Sequence, residues 1–296
     1  MKIIVLGEIL WDIFEDGEHL GGAPFNFAAH ARRLGHDVTF VSAVGADVRG
    51  KEALARASAL GLSTRYIREV AGQPTGIVPV TIDAEGQPRF TICRPAAYDY
   101  VSLSEHDLCE LSTPAAHWIY FGTLHQTSPR ARETLAQLRG ANPRARRFYD
   151  VNLRPQSYDA QLVRSLLAEA SFVKLNEEEA RLVCALLGAP ADASISQFCR
   201  TNALAFGWEG VCVTRGASGC ALLVGDDYAE VAGYPAVAAD TVGAGDAFAA
   251  AFLHGLNQGW ATAKIGDFAN RVGALIASRR GAIPAWTVEE ANALRA

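Results

Sequence analysis

Short apolar runs separated by turn residues make up the first third of the chain. Residues 2–7 form a continuous apolar run, which is typical of a central strand buried on both faces. Residues 11–20 instead alternate around Asp16-Gly17, and the segments 76–83 and 87–94 alternate around Ala84-Glu85-Gly86. Both patterns predict β-hairpins, which together would build a small sheet outside the main layer.

Helical spacing of apolar residues alternates with further strand-like runs in the rest of the chain. Predicted helices cover 25–34, 47–60, 129–140, 160–169 and 176–187, and the chain is nearly all helical from 245 to a break at 281–284. Predicted strands cover 37–44, 117–121, 146–151, 171–175 and 210–214, with a strand pair in 219–232. This alternation predicts an α/β fold, with a parallel sheet between two layers of helices. We find no repeat or linker, so residues 1–296 are predicted to form a single domain.

Composition and charge narrow the class of protein. Half of the 296 residues are hydrophobic and a fifth are charged, which allows a full core. The net charge is −5 and no run of Lys and Arg occurs, so nucleic acid is not an expected partner. No apolar stretch approaches the ~18 residues of a membrane span, and no membrane partner is expected. The six cysteines lack C-x-x-C spacing, and the N-terminus does not resemble a signal peptide, which together predict a cytoplasmic location.

A glycine-rich turn precedes an apolar run that is predicted to start a buried helix. Residues 240–248 read D-T-V-G-A-G-D-A-F, and Gly243 and Gly245 allow a tight turn close to a ligand. The start of a helix aims free N–H groups at one point, where phosphate binds readily. Asp246 would repel that phosphate unless a base is needed there, as for the hydroxyl nucleophile of a kinase. Alternatively, Asp246 only offsets the dipole of a core helix.

Two further motifs follow predicted strands, at the sheet edge where open parallel sheets bind ligands. Asn176 and Glu179 fit a helix capping box, but with Glu177 and Glu178 they offer more carboxylates than a cap needs, so a magnesium role near phosphates is the alternative. Residues 150–154 (D-V-N-L-R) fit either a ligand-binding edge or an Asx-turn followed by a surface arginine.

Polar and glycine residues near three other strands leave similar alternatives. Residues 214–219 (T-R-G-A-S-G) suit phosphate contact or a plain hairpin turn. Asp12 and Asn26 would hydrogen-bond a polyol, or serve as turn and helix-start residues.

Several familiar motifs are excluded. Residues 45–52 satisfy G-x-x-x-x-G-K but end in Glu52, where a P-loop needs Ser or Thr, so this segment is predicted to be a surface turn and helix start. The pair of glycines at 243 and 245 lacks the third glycine of a dinucleotide fingerprint. The histidines show no ligand spacing and are assigned no metal.

In their order and positions, these motifs resemble those of the ribokinase-like (PfkB) carbohydrate kinases, across essentially the whole chain. The early signature is Gly21-Gly22-Ala23-Pro24-Phe25-Asn26-Phe27-Ala28, running to Leu34-Gly35, and the late one is 240–248. Between them lie 150–154, Asn176-x-x-Glu179 and 214–219, where the family has its equivalents. The resemblance implies a three-layer α/β/α sandwich with a mostly parallel sheet and a small β-lid, here about 11–20 and 76–100.

The resemblance also implies roles for residues at the transferring phosphate. Asp246 would be the base for the sugar hydroxyl, and the N–H groups of Gly243, Ala244 and Gly245 would form the anion hole, with Arg154 close by. The cofactors would be ATP and Mg²⁺, with potassium as a further ion.

The remaining implied roles concern the metal, nucleotide and sugar. Asn176 and Glu179 would hold the magnesium–phosphate network, with Glu179 acting through water. Nucleotide contacts are implied for Thr214, Gly216, Gly219 and Asn270, and sugar contacts for Asp12, Gly22 and Asn26. Asp240 and the backbone of Val242 match positions that bind potassium in related kinases.

The early signature, with Glu8-Ile-Leu-Trp-Asp12 before it, is most similar to the bacterial fructokinase branch. Pro24 and Phe25 depart from the Gly-Gly-Lys-Gly-x-Asn of ribokinases, so fructose 6-phosphate is the expected product. The alternatives are a kinase of the same fold for another sugar, a sugar acid or a nucleoside, or a non-catalytic sugar-binding regulator. Two hairpins rich in Thr, Ile and Val predict edge pairing in a homodimer through the β-lid.

Overall fold

The computed structural model describes residues 1–15, 17–82, 88–155, 157–188 and 193–295. The strands are β1 Lys2–Leu6, β2 Leu10–Phe14, β3 Gly17–Gly21, β4 Asp37–Gly45, β5 Ile67–Val70, β6 Gly76–Ile82, β7 Pro88–Phe90, β8 Trp118–Gly122, β9 Arg146–Asp150, β10 Phe172–Asn176, β11 Gly210–Thr214, β12 Cys220–Val224 and β13 Asp227–Val231. The α-helices are α1 Ala23–Arg33, α2 Val48–Ala59, α3 Glu105–Leu111, α4 Thr123–Gln126, α5 Pro129–Ala141, α6 Ala160–Glu169, α7 Glu177–Leu187, α8 Ile195–Phe206, α9 Ala244–Asn257, α10 Thr262–Ala277 and α11 Val288–Ala293. Two short 3-10 helices cover Ala97–Tyr100 and Gly216–Ser218.

The main sheet has nine strands in the order β13-β12-β11-β10-β9-β8-β1-β4-β5. The strands from β5 to β11 are parallel, and β12 and β13 complete the sheet as an antiparallel pair. The predicted α/β class is therefore confirmed. Because the parallel strands point the same way, their carboxyl ends and the loops after them meet at one edge.

Helices cover both faces of this sheet, because its central strands are apolar on both sides. One buried cluster joins the sheet to α1, α2, α9, α10 and α11, and the other joins it to α3, α5, α6, α7 and α8. Along β1, Ile3 and Val5 belong to the first cluster while Ile4 and Leu6 belong to the second. This alternation is the reason why residues 2–7 read as an uninterrupted apolar run.

A second sheet has four strands in the order β3-β2-β6-β7. Both predicted hairpins are present in it, although Asp16 and Ala84-Glu85-Gly86 of their turns lie outside the described residues. The predicted strand over 87–94 ends at Phe90, although Thr91 and Cys93 still donate to the carbonyls of Pro79 and Ile77. The segment from there to residue 100 contains the first 3-10 helix, so the sheet does not extend to 100 as expected.

Several elements were not expected from the sequence. Strand β5 reads Ile-Arg-Glu-Val, and its two central charges hide the strand pattern. Helix α8 has a capping box of Ser194 and Gln197, a local signal that is readable in the sequence.

All six cysteines are free and four are buried, as their apolar surroundings predict. No helix within the described ranges is both long and apolar enough to cross a membrane.

Candidate active site

The glycine-rich turn forms the N-terminus of α9, as predicted. Gly243 is the N-cap, with φ of 78°, and a β-carbon there would lie 2.4 Å from the carbonyl oxygen of Ala282. Asp240 fixes the turn, because its carboxylate accepts the N–H groups of Val242 (2.9 Å) and Gly281 (3.0 Å). The turn is thus tied to the loop after α10.

Two of the three expected anion-hole donors are available. The N–H groups of Gly243 and Gly245 donate to no carbonyl in the described part of the chain, whereas that of Ala244 reaches the Thr241 carbonyl at 3.3 Å. Free amides at a helix N-terminus, together with the helix dipole, favour a bound anion.

Asp246 lies in the first turn of α9 and is buried, with 9% of its surface exposed. Its Oδ2 accepts a hydrogen bond of 2.8 Å from Nδ2 of Asn26, which is far away in sequence on α1. Burial, and secondarily the charge of Asp150, raise the pKa of Asp246 to about 6. An aspartate that only offsets a helix dipole needs neither burial nor such a partner. A buried carboxylate with a raised pKa suits a general base.

A buried ion pair beside this turn was not predicted. Lys174 on β10 donates to both oxygens of Asp150 at 3.0 and 3.3 Å, and Tyr120 donates to Oδ2 of Asp150 at 3.0 Å. The Nζ of Lys174 would lie 3.5 Å from a β-carbon on Gly245, which places the ammonium beneath the turn. Burial lowers the pKa of Lys174, but the carboxylates of Asp150, Glu179 and Asp246 outweigh it and raise the pKa. A lysine inside an otherwise apolar strand was the signal in the sequence.

The segment after β9 borders the same site. Asn152 has φ of 37°, a left-handed conformation that Asn tolerates and that other residues with side chains avoid. Arg154 is exposed, and its side chain makes no hydrogen bond or ion pair with the described residues, so its guanidinium is available to a ligand. The alternative of an Asx-turn with a surface arginine does not explain why both residues line one cavity.

Asn176 and Glu179 form the capping box of α7, which is the structural alternative that the sequence left open. Asn176 accepts the N–H of Glu179, and Glu179 accepts the N–H groups of Asn176 (2.8 Å) and Leu153 (2.7 Å). The bond from Leu153 ties α7 to the segment of Arg154. Within the described ranges, no cluster of three or more His, Cys, Asp or Glu side chains is arranged to hold a metal.

The residues expected at the nucleotide lie around the ends of β11 and β13 and on the middle of α10. Thr214 ends β11, and Gly216 begins the second 3-10 helix. A β-carbon on Gly219 would lie 2.0 Å from the carbonyl oxygen of Val231, and Asn270 donates to the same carbonyl at 3.2 Å. The close contact between these two segments explains the glycine.

The residues expected at the sugar lie on β2 and around the start of α1. Asp12 is on β2 of the smaller sheet, and burial raises its pKa to about 6. Gly22 precedes α1 with φ of 107°, and a β-carbon there would lie 2.6 Å from the carbonyl oxygen of Glu8. A small cavity next to them is lined by Glu8, Ala23, Pro24, Tyr120, Gly122, Thr123, Leu124, Asp150, Asn152 and Arg154. Glu8 was not among the expected site residues.

The P-loop-like segment takes no part in this site. Asp47 caps α2 by accepting the N–H of Gly50 at 2.7 Å, and it also accepts both the N–H and the hydroxyl of Thr75. A β-carbon on Gly50 would lie 2.0 Å from the carbonyl oxygen of Gly45. The segment is a turn and helix start, as predicted, and its glycines serve packing.

Fold and site together define a phosphotransferase: an anion site at a helix N-terminus, beside a buried carboxylate and a polar cavity, at the carboxyl edge of a parallel sheet. The model of the pfkB family carbohydrate kinases matches residues 7–288. The chain belongs to this family, whose members transfer phosphate to a sugar hydroxyl.

Individual relatives differ in substrate. The chain is 32% identical over 268 residues to a fructokinase of Klebsiella pneumoniae, covering 86% of this chain and 84% of the relative. It is 28% identical over 305 residues to the aminoimidazole riboside kinase of Salmonella typhimurium, covering 96% and 91%. A sugar kinase of Pyrococcus horikoshii, solved in complex with ATP, superposes with a TM-score of 0.80 at 27% identity, covering 98% and 96%. The family is therefore established, and the sugar is not.

Proposed function

We propose that this protein is an ATP-dependent fructokinase, which converts D-fructose and ATP to fructose 6-phosphate and ADP. One observation carries the proposal: the buried Asp246, held by Asn26, lies in the first turn of α9 beside free backbone N–H groups. The early signature with Pro24 and Phe25 and the fructokinase relatives support fructose.

In this mechanism Asp246 accepts the proton of the primary hydroxyl as the sugar oxygen attacks the γ-phosphorus. The bond from that phosphorus to the oxygen of ADP breaks, and ADP leaves with the electron pair. The N–H groups of Gly243, Ala244 and Gly245 stabilise the charge on the transferring group, and Arg154 approaches the same phosphoryl region.

The residues present suit ATP and magnesium. Mg²⁺ would neutralise phosphate charge, held through water by Glu179 and positioned by Asn176. Thr214, Gly216 and Gly219 would run along the nucleotide, with Asn270 near the adenine. The carbonyl of Val242 and the carboxylate of Asp240 would hold potassium, since oxygen ligands on a fixed loop suit such an ion.

The sugar would be gripped by Asp12, Gly22 and Asn26. The four-stranded sheet would act as a lid of one single kinase domain, closing over the sugar so that water does not replace it as acceptor. We further propose a cytoplasmic protein that forms a homodimer through this lid, because β7 is an edge strand and its Phe90 is 48% exposed.

A kinase for a nucleoside is the second candidate, because the riboside kinase relative covers as much of the chain as the fructokinases do. Coupled ATP consumption with magnesium and potassium separates the candidates, using fructose, ribose, tagatose, glucose, adenosine and a keto-deoxy sugar acid. Activity on fructose alone is expected, and activity on adenosine alone would replace fructokinase by the second candidate.

The same assay with Asp246→Asn tests the base. The expected loss in kcat is about 10²–10⁴-fold or more, as is typical for a general base. Turnover at the wild-type rate would contradict this role. If the wild-type protein binds ATP and sugar but transfers no phosphate to any acceptor, a regulatory binding protein replaces the kinase.

A further inference from the structure

Glu8 follows β1 and is buried without a complete set of partners. Only 4% of its surface is exposed, and its Oε2 accepts no hydrogen bond from the described residues. Burial raises the pKa of Glu8 to about 7, with a smaller opposing effect from its own backbone N–H and from Arg154. A buried carboxylate oxygen without a donor is costly, and folded proteins normally satisfy such groups. Glu179 shows the normal case, since both of its oxygens accept backbone N–H groups.

The missing donor points to a ligand rather than to an internal contact. Glu8 lines the small cavity that also contains Asn152 and Arg154. Asn26 has a second unpartnered atom nearby: its Nδ2 donates to Asp246, which leaves a buried Oδ1 with no donor. Two buried acceptors, one on Glu8 and one on the residue that holds Asp246, therefore lack hydrogen-bond donors. Hydroxyl groups of a sugar provide such donors.

The charges around the cavity define the kind of sugar. Glu8 and Asp12 each interact electrostatically with Asp246, and all three carboxylates interact with Arg154. The other nearby cations are already paired, Lys174 with Asp150 and Arg94 with Asp99. A substrate carboxylate or phosphate would meet three carboxylates with Arg154 alone to offset them, and like charges at low dielectric repel strongly.

We propose that Glu8 is a specificity-determining residue, which binds a sugar hydroxyl through Oε2 and, with Asp12, restricts this site to uncharged polyols. This inference rests on the proposed kinase function and adds that sugar acids and sugar phosphates are rejected by charge. Glu8 lines the same cavity as Pro24 of the early signature, which supports a contact with the sugar rather than with ATP.

Two substitutions test the contact by equilibrium binding, which does not depend on turnover. Glu8→Leu removes the acceptor, and Glu8→Gln removes only the charge. Isothermal titration with fructose, ribose, tagatose, adenosine and 2-keto-3-deoxygluconate, in the presence of a non-hydrolysable ATP analogue, identifies the tightest uncharged ligand. We expect Glu8→Leu to weaken its binding about 10- to 100-fold, the usual loss for a hydrogen bond to a charged group. We expect Glu8→Gln to lower the preference for this ligand over the sugar acid at least about fivefold. The exposed Glu15→Gln should change neither quantity.

Thermal unfolding separates binding from a structural role. Removing a buried, unpaired carboxylate should leave the Tm of the unliganded protein unchanged or higher, and should reduce the increase in Tm at a fixed sugar concentration. If Glu8→Leu does not fold, the Glu8→Gln titration decides alone. Affinities within twofold of wild type in the folded variants would overturn the proposal. Tighter wild-type binding of the sugar acid than of every neutral ligand would also overturn it, while leaving the kinase assignment intact. Failure of fructose alone would refute only the choice of sugar.

Discussion

Asp246 combines burial, a neutral hydrogen-bond donor and neighbouring charges of both signs. Burial and Asp150 raise its pKa to about 6, while Lys174 and Arg154 limit the rise. If Asp246 is the base, as proposed, it is ionised at neutral pH and becomes protonated as the pH falls through about 6. Ionisation of Asp246 lowers the stability of the fold, because an ionised carboxylate is costly to bury.

A pH profile checks both consequences. We expect kcat/KM to fall as pH drops through about 6, because the protonated carboxyl accepts no proton. The pKa in the unfolded chain is close to 3.8, so the native state binds the proton more tightly than the unfolded one. The stability associated with this proton is fully present below pH 3.8 and is lost as pH rises through about 6.

Asp246→Asn removes this cost, so the variant should be more stable than wild type at pH 8 by up to about 3 kcal/mol. The difference should vanish near pH 4. Urea unfolding at the two pH values measures it, and a variant less stable than wild type at pH 8 would contradict the argument.

Lys174 and Asp150 depend on each other. Lys174→Met leaves Asp150 as a buried charge without its partner, so we expect a loss of about 3–5 kcal/mol in the free energy of unfolding. The double variant Asp150→Asn/Lys174→Met should recover most of that loss, since neither residual group is then an uncompensated charge. The exposed pair of Arg181 and Glu177 is the matched control, and Arg181→Met should cost less than about 1 kcal/mol. Equal effects of the two single substitutions would show that the buried pair is not special.

At the scale of secondary structure, the turn before α9 positions the backbone N–H groups at the start of this helix. The N–H groups of Gly243 and Gly245 are free because the first amides of a helix have no intrahelical acceptor, and Asp240 holds the turn against the loop after α10. The turn is therefore stiff before any ligand arrives, which is what charge stabilisation requires.

Gly243→Ala tests this stiffness. The substitution forces a positive φ on alanine and drives its β-carbon against Ala282, so we expect a loss of about 2 kcal/mol or more in stability. Displacement of the amides should lower kcat at least about 10²-fold. Gly207→Ala is the control, because Gly207 ends α8 with φ of 71° and open space around it. Gly207→Ala should lower the free energy of unfolding by only about 1 kcal/mol and leave kcat unchanged. Unchanged kcat in Gly243→Ala would argue against an anion hole at this turn.

At the scale of the whole molecule, two sheets define the cleft. In the proposed mechanism, the nine-stranded sheet would carry the phosphate side at its carboxyl edge, and Asp12 of the four-stranded sheet would contact the sugar. Asn26 and Asp246 join the start and the end of the chain across that cleft. The active groups therefore come from distant segments, which only the folded chain brings together.

The proposed homodimer through the four-stranded sheet can be tested by measuring the mass in solution. Light scattering after size exclusion at about 10 μM should give twice the chain mass of 31.6 kDa, because unpaired edges and an exposed Phe90 favour pairing. Phe90→Glu should return the mass to that of one chain. The exposed Leu204→Glu on α8, away from the smaller sheet, should leave the wild-type mass unchanged. A monomeric wild-type protein would refute pairing through this sheet.

The sequence by itself determined the elements whose signals are local. The apolar run of β1, the capping box of Asn176 and Glu179, and the glycine turn before α9 depend on neighbours within a few residues. The order of the motifs likewise sufficed for the family, because relatives keep them along one chain. Strand β5 was missed because its central charges lie at the sheet edge, where no apolar pattern is required.

Only the tertiary structure decided which side chains meet. The sequence does not show that Lys174 pairs with Asp150 on the adjacent strand. It also does not show that Oε2 of Glu8 is buried without a hydrogen-bond donor. The partner of Asp246 also comes from the other end of the chain. The burial, pKa and hydrogen-bond partners of a side chain depend on its neighbours in the fold, and many of these neighbours are distant in sequence. A sequence therefore names the chemistry of its residues, but the fold decides which of them act together.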